Sequence, residues 1–286
     1  MRFRQVVVRG VRSPVAEAGD SDTAEAVVLL HGNPGSARDW DFAIPSIAEL
    51  ARVLAPDMPG FGAAERPRAL PYTVEGYSDH LAGILDQLGV RRVHLVLHDF
   101  GGPWGLAWGI EHPDAFASLT LINTGVFSGV RWHRFAKVWR TPIVGELFQA
   151  ATTRAGLRMF LNRANPKPLP DEFIDRIYED SDPGMKRAVL KLYRATDIGE
   201  LAGRQSPALR ALGRPTLVIW GVHDTYLPFE LADRQHETFP EAEIVPIAGA
   251  GHWPFVDDPD AVRGPLLRFL REQIGVPATN AGPLGS

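Results

Sequence analysis

Four apolar runs in the first half of the chain each break on a turn: "EAVVLLHG", "ARVLAPDMPGFG", "RRVHLVLHDFGG" and "FASLTLINTG". Near-continuous runs of Val, Leu and Ile suit strands buried on both faces, the condition of a parallel sheet covered by helices. Between them lie helical patterns. "TVEGYSDHLAGILDQLGV" places Leu81, Ile84, Leu85 and Leu88 at helical spacing and stops at Gly89, and "PWGLAWGIEHPD" reads as a second helix. With "RFRQVVVR" as a further β-rich stretch, the rhythm predicts a βαβ architecture, a mostly parallel sheet flanked by helices.

The rhythm stops between 128 and 211. Strand signals vanish and Trp, Arg and Pro rise in "VRWHRFAKVWRTPIVGELFQAATTR" and "NPKPLPDEFIDRIYEDSD", which predicts a helical insertion. Strands resume with "RPTLVIWGVHD" and "AEIVPIAGAGH", with a helix over 229–239 between them and a closing helix "DPDAVRGPLLRFLREQI". The expected organisation is an α/β core over 1–127 and 212–276, a helical cap over 128–211, and a flexible tail over 277–286. The Arg131 to Phe135 cluster has no physical account from sequence.

Composition excludes several classes of function. The chain has 286 residues, a net charge of −4 and no cysteine, so it carries no basic field for nucleic acid or anionic membrane and no thiol nucleophile. "MRFRQVVVRG" has no signal-peptide apolar core, and no stretch approaches ~18 uninterrupted apolar residues. A soluble cytoplasmic protein, monomer or homodimer, is the expectation.

Three polar residues fall at strand ends: Asp99 in "HDFGG", Asp224 in "WGVHD" and His252 in "GAGHWPF". Sites in open α/β sheets assemble at the carboxyl ends of the strands. Singly, each has a structural explanation, such as an Asp capping the next helix. Together they give the order nucleophile, acid, histidine. Aspartate stands where a serine enzyme would have its nucleophile, and no G-x-S-x-G occurs in the chain.

On these residues, with "HGNPG" (His31 to Gly35), "PDMPGFG" (Asp57 to Gly62) and "GHWPF", the chain resembles the α/β-hydrolase family over about 25–276. The branch it resembles has an aspartate nucleophile and contains epoxide hydrolases and haloalkane dehalogenases. The resemblance implies that Asp99 forms an alkyl ester, which a water activated by His252 and Asp224 hydrolyses. It also implies an oxyanion hole from the backbone N–H groups of Asn33 and Phe100, with no metal or organic cofactor. His31 and Asp57 are assigned to loop scaffolding.

The leaving group separates the two activities. A halide needs N–H donors; Asn33 fits, but Phe100 has no indole N–H where one dehalogenase subfamily has tryptophan. An epoxide oxygen needs an acid, and "LKLYRAT" resembles the segment holding the second cap tyrosine of epoxide hydrolases, which points to Tyr193. The first cap tyrosine has no match, Tyr178 being an unaligned substitute. Leu97 and Asn33 stand where epoxide hydrolases usually have glycine and an aromatic residue. Pro103, Trp104 and Trp108 replace the arginines that hold a carboxylate in fluoroacetate-type enzymes. Trp104, Trp132, Trp139 and Phe148 are candidate pocket lining. The expectation is an epoxide hydrolase on small apolar epoxides. The alternatives are a haloalkane dehalogenase, a β-lactone or other strained-ring hydrolase, or a catalytically lapsed binding or biosynthetic partner.

Overall fold

The computed structural model of the protein describes residues 1–130 and 132–275. Its strands are β1 (Arg2–Val8), β2 (Val11–Ala18), β3 (Glu25–Leu30), β4 (Arg52–Pro56), β5 (Arg92–His98), β6 (Phe116–Ile122), β7 (Thr216–Gly221) and β8 (Glu243–Ile247). They form one eight-stranded sheet in the order β1-β2-β4-β3-β5-β6-β7-β8. β2 runs antiparallel to both its neighbours, and every pairing from β4 to β8 is parallel.

Strand alternation explains the two cores. On β3, Val28 and Leu30 point into one apolar cluster, and Val27 and Leu29 point into the other. The first cluster is closed by α2 (Val74–Gln87) and α3 (Gly101–Glu111). The second is closed by α1 (Ile44–Ala48) and, near the end of the chain, by a helix over Pro259–Ile274. Helix α2 behaves as its sequence dictates. The Thr73 hydroxyl caps it by accepting from the Gly76 N–H at 3.1 Å, and Gly89 leaves it at φ 69°.

Between β6 and β7 the described residues form six helices: α4 (Arg134–Arg140), α5 (Val144–Ala150), α6 (Arg154–Ala164), α7 (Asp171–Asp180), α8 (Pro183–Ala195) and α9 (Ile198–Leu212). They pack against both cores. Leu192 of α8 and Leu209 of α9 join the first core, while Phe173 and Ile174 of α7 join the second. Arg176 of α7 pairs with the buried Asp39 in the loop after β3. The remaining helices are α10 (Glu230–Asp233), α11 (Pro254–Asp257) and α12 (Pro259–Ile274).

Two expectations change. The helix read over 229–239 is two short pieces, α10 and a 3-10 turn at Arg234–Glu237. The buried Gln235 amide there binds the backbone of Val126 instead of facing solvent. β2, with Ser13, Pro14 and Glu17, gave no strand pattern. It pairs with β4, and its Glu17 is buried against Arg52 of that strand at 2.8 Å, so the charge is partnered inside the sheet. The tail, 277–286, lies outside the described residues, as do Arg131 and Val276. No helix among the described residues is long and apolar enough to cross a membrane.

Close backbone approaches bring the strand ends together. A Cβ on Gly221, at the end of β7, would stand 2.0 Å from the carbonyl oxygen of Gly251, next to His252. Neither backbone can yield without displacing the other. Gly221→Ala therefore lowers stability by about 1–3 kcal/mol. Chemical denaturation measures this, and an unchanged midpoint would contradict the close packing.

Candidate active site

Asp99 follows β5 directly and adopts φ 48°, a left-handed conformation that non-glycine residues rarely take. The turn is held on both sides. A Cβ on Gly32 would lie 2.4 Å from Asp99 Oδ1, and one on Gly101 would lie 2.3 Å from the Leu30 carbonyl oxygen. The Asp99 carbonyl accepts from the Thr124 hydroxyl at 2.6 Å. This is a sharp strand-to-helix turn that lifts the Asp99 side chain above the end of the sheet.

The carboxylate has two different oxygens. Oδ1 accepts from the Asn33 backbone N–H at 2.6 Å, and Oδ2 lies 3.5 Å from His252 Nε2. His252 Nδ1 lies 2.7 Å from Asp224 Oδ2. Asp224 is immobilised in turn: its Oδ1 accepts from the Tyr226 and Leu227 N–H groups, and its Oδ2 from Asn123 Nδ2 at 2.7 Å. Asn123, at φ 45°, also accepts from the Gly221 N–H, so one amide ties the ends of β6 and β7 to the triad. His98 Nε2 lies 2.9 Å from the His252 carbonyl oxygen. Burial keeps His98 neutral, with its pKa down to about 4, so it donates there.

Burial disfavours charge on His252, but Asp224 and then Asp99 outweigh it and push its pKa up to about 10. Burial likewise opposes ionisation of Asp99, yet the His252 contact and the Asn33 N–H hold its pKa below the usual carboxylate value. Both shifts favour a protonated His252 beside an ionised Asp99.

A cavity of about 360 Å³ opens above Asp99 between cap and core, lined by Asn33, His133, Trp139, Phe148 and Tyr193 among others. The Tyr193 hydroxyl oxygen accepts from Asn33 Nδ2 at 3.4 Å, which leaves its own proton available. Burial raises its pKa well above 10, so the phenol stays neutral. His133 precedes α4 and caps it, its Nδ1 accepting from the Ala136 N–H at 3.3 Å. That places the proton on Nε2, and burial holds the ring neutral, with a pKa near 4.

The structure brings together Asp99, His252, Asp224, Asn33 and Tyr193, with Phe100 opening α3 beside them. Trp139 and Phe148 line the large cavity, and Trp132 lines a smaller one. Trp104 is corrected: it is fully buried, stacked on Tyr77 at 4.1 Å, and belongs to the core. Tyr178 is corrected too, being 36% exposed on α7 and outside both cavities. His31 and Asp57 are scaffolding. His31 Nε2 accepts from the Met58 N–H, and Asp57 from those of Ala37 and Ala63. Sequence reasoning missed Asn123, His133 and Tyr226. The Asn closing "TLINTG" was a usable signal for the first, being the same strand-end position that marked the triad.

The family model described as "alpha/beta hydrolase fold" matches residues 25–259. The chain belongs to the alpha/beta hydrolase family. Among curated relatives it is 30% identical over 258 residues to a 2-hydroxy-6-oxo-2,4-heptadienoate hydrolase of Pseudomonas putida, covering 87% of this chain and 89% of the relative. It is 28% identical over 265 residues to haloalkane dehalogenase 2 of Mycobacterium tuberculosis, covering 87% and 88% of the two chains. The solved structure of the epoxide hydrolase CorEH shares the fold, with a TM-score of 0.80 and 23% identity over 95% of this chain and 99% of that one. A hydrolase is what fold and relatives support.

The charge array makes a direct prediction. Removing the Asp99 charge in Asp99→Asn leaves Asp224 alone to hold the proton on His252, so the imidazole pKa falls from about 10. Histidine NMR titration of both proteins checks this, and an unchanged value would contradict the coupling.

Proposed function

We propose that this hydrolase opens apolar epoxides by way of a covalent ester on Asp99. The observation that carries the reading is the pair of neutral donors, Tyr193 Oη–H and His133 Nε2–H, lining the cavity into which the Asp99 carboxylate faces. Halide departs as a stable anion, whereas an epoxide oxygen stays on the product as an alkoxide and must gain a proton. A transferable phenolic proton beside the nucleophile answers that need.

With Oδ1 held by the Asn33 N–H, Oδ2 is the attacking oxygen. It forms a bond to one ring carbon while the C–O bond breaks, and the ring oxygen takes a proton from Tyr193, assisted by His133. The product is a hydroxyalkyl ester. Esterification removes the Asp99 charge that helped to hold a proton on His252, so the imidazolium gives its proton, by way of water in the cavity, back to the Tyr193 phenolate and becomes the base. Water then gives a proton to His252 and attacks Cγ of Asp99. Negative charge develops on Oδ1, where the Asn33 N–H already lies and the Phe100 N–H is adjacent. Collapse expels the diol alkoxide, which takes the proton from His252, and the carboxylic acid left on Asp99 then protonates His252, restoring the starting carboxylate and imidazolium. The net change is addition of one water.

Halide displacement is the second reading, favoured by the relative named haloalkane dehalogenase 2 and by the buried, unpartnered indole N–H groups of Trp139 and Trp253 in the same cavity. Against it, the Asn33 amide is already committed to Tyr193, and Phe100 contributes no indole.

Purified protein assayed on styrene oxide and on 1,2-dibromoethane separates the two. The expected result is diol without bromide, with Tyr193→Phe lowering kcat by ~10²-fold or more and His133→Phe lowering it less. Bromide without diol would overturn the epoxide reading.

A further inference from the structure

A second, smaller chamber of about 70 Å³ adjoins the large cavity at the nucleophile. Asp99, His133, Tyr193 and Tyr226 line both spaces, so the reacting carboxylate stands where the two meet. The small chamber is walled by Phe100 just before α3, Phe127 and Val130 of the segment after β6, Ile198 of α9 and Leu227 after β7. Its two threonine hydroxyls are already engaged. Thr124 donates to the Asp99 carbonyl oxygen at 2.6 Å and Thr196 to that of Leu192 at 2.8 Å.

The chamber's other polar groups lie on the side shared with the large cavity, and away from them the walls of Phe100, Phe127, Val130, Ile198 and Leu227 gain contacts only when carbon packs against them. At about 70 Å³ against about 360 Å³ for the large cavity, the chamber suits a short alkyl arm better than a ring. A terminal epoxide would put only hydrogen there. An epoxide substituted on both ring carbons directs one arm into each chamber, with the ring oxygen left between Tyr193 and His133.

Building on the epoxide reading above, we infer that the natural substrates are internal epoxides bearing one bulky apolar arm and one alkyl arm of about one to three carbons. Phe100 takes on a positive role in this account. Its ring, 4.9 Å from that of Tyr193 and 6.2 Å from that of Trp132, forms a wall of the small chamber.

The test is a comparison of kcat/KM for four trans epoxides or their terminal analogue: styrene oxide, its β-methyl and β-propyl derivatives, and stilbene oxide. The expected order places the methyl and propyl compounds ~10-fold above styrene oxide, and stilbene oxide below all three. Val130→Phe and Ile198→Phe fill the chamber and should cut the propyl-to-styrene-oxide ratio by ~10-fold or more within the same protein sample. Val130→Ala widens it and should raise turnover of stilbene oxide. Because each variant is read as a ratio of two substrates, partial loss of folded protein cancels. Diol formation with styrene oxide preferred, or filling variants that leave the ratio unchanged, would overturn this inference alone. No diol from any of the four would overturn the epoxide reading and this inference with it.

Discussion

An ionised carboxylate out of bulk water needs partners to replace its hydration, and much of the architecture around Asp99 exists to provide them without quenching it. One oxygen is held by the Asn33 N–H at 2.6 Å, while the other faces the His252 imidazole at the longer 3.5 Å. That asymmetry leaves one oxygen of the buried carboxylate without a close hydrogen-bond donor, the condition the proposed nucleophilic role needs. It requires Asp99 to sit at φ 48°, and that backbone in turn requires Gly32 and Gly101, where a side chain would strike the turn. A set of steric constraints from β3 and α3 is thereby converted into the position of one oxygen atom.

The histidine is fixed with comparable economy. Asp224 accepts from His252, Asn123 and two backbone N–H groups, so the carboxylate cannot rotate. His98 holds the His252 backbone from below. Asn123 joins β6, β7 and the triad acid, so strand pairing and catalytic geometry are one structure. The cap supplies polar groups to the cavity as well as cover. His133 and Tyr193 come from different cap helices or their caps and meet only because α4 and α8 pack on the mouth of the sheet.

Most of the core was legible because burial on both faces of a parallel sheet writes itself into sequence as apolar runs, and the residues closing those runs, Asp99, Asp224 and His252, stand out by contrast. β2 was not legible, since Glu17 looks solvent-facing until the buried Arg52 is placed opposite it. The cap resisted for a different reason. Amphipathic helices announce which side is apolar without saying what lies against it. Trp104 and Trp139 are both aromatic positions on helices, yet one is locked in the core and the other lines the cavity. His133 stood inside the Arg131 to Phe135 cluster that sequence left without an account: its place depends on a helix cap that fixes its tautomer and on a tyrosine 60 residues away, His133 to Tyr193.

The claim on which the account rests is that an Asp99 oxygen, not water, attacks the substrate. A single turnover in heavy-oxygen water, with enzyme in excess over styrene oxide, tests it most directly. Attack by Asp99 followed by hydrolysis at Cγ predicts a first-turnover diol carrying only ordinary oxygen, with the heavy atom retained in the Asp99 carboxylate and found there by peptide mass spectrometry. Heavy oxygen in the diol of the first turnover would mean that water attacks the ring carbon itself, and the covalent mechanism would be wrong.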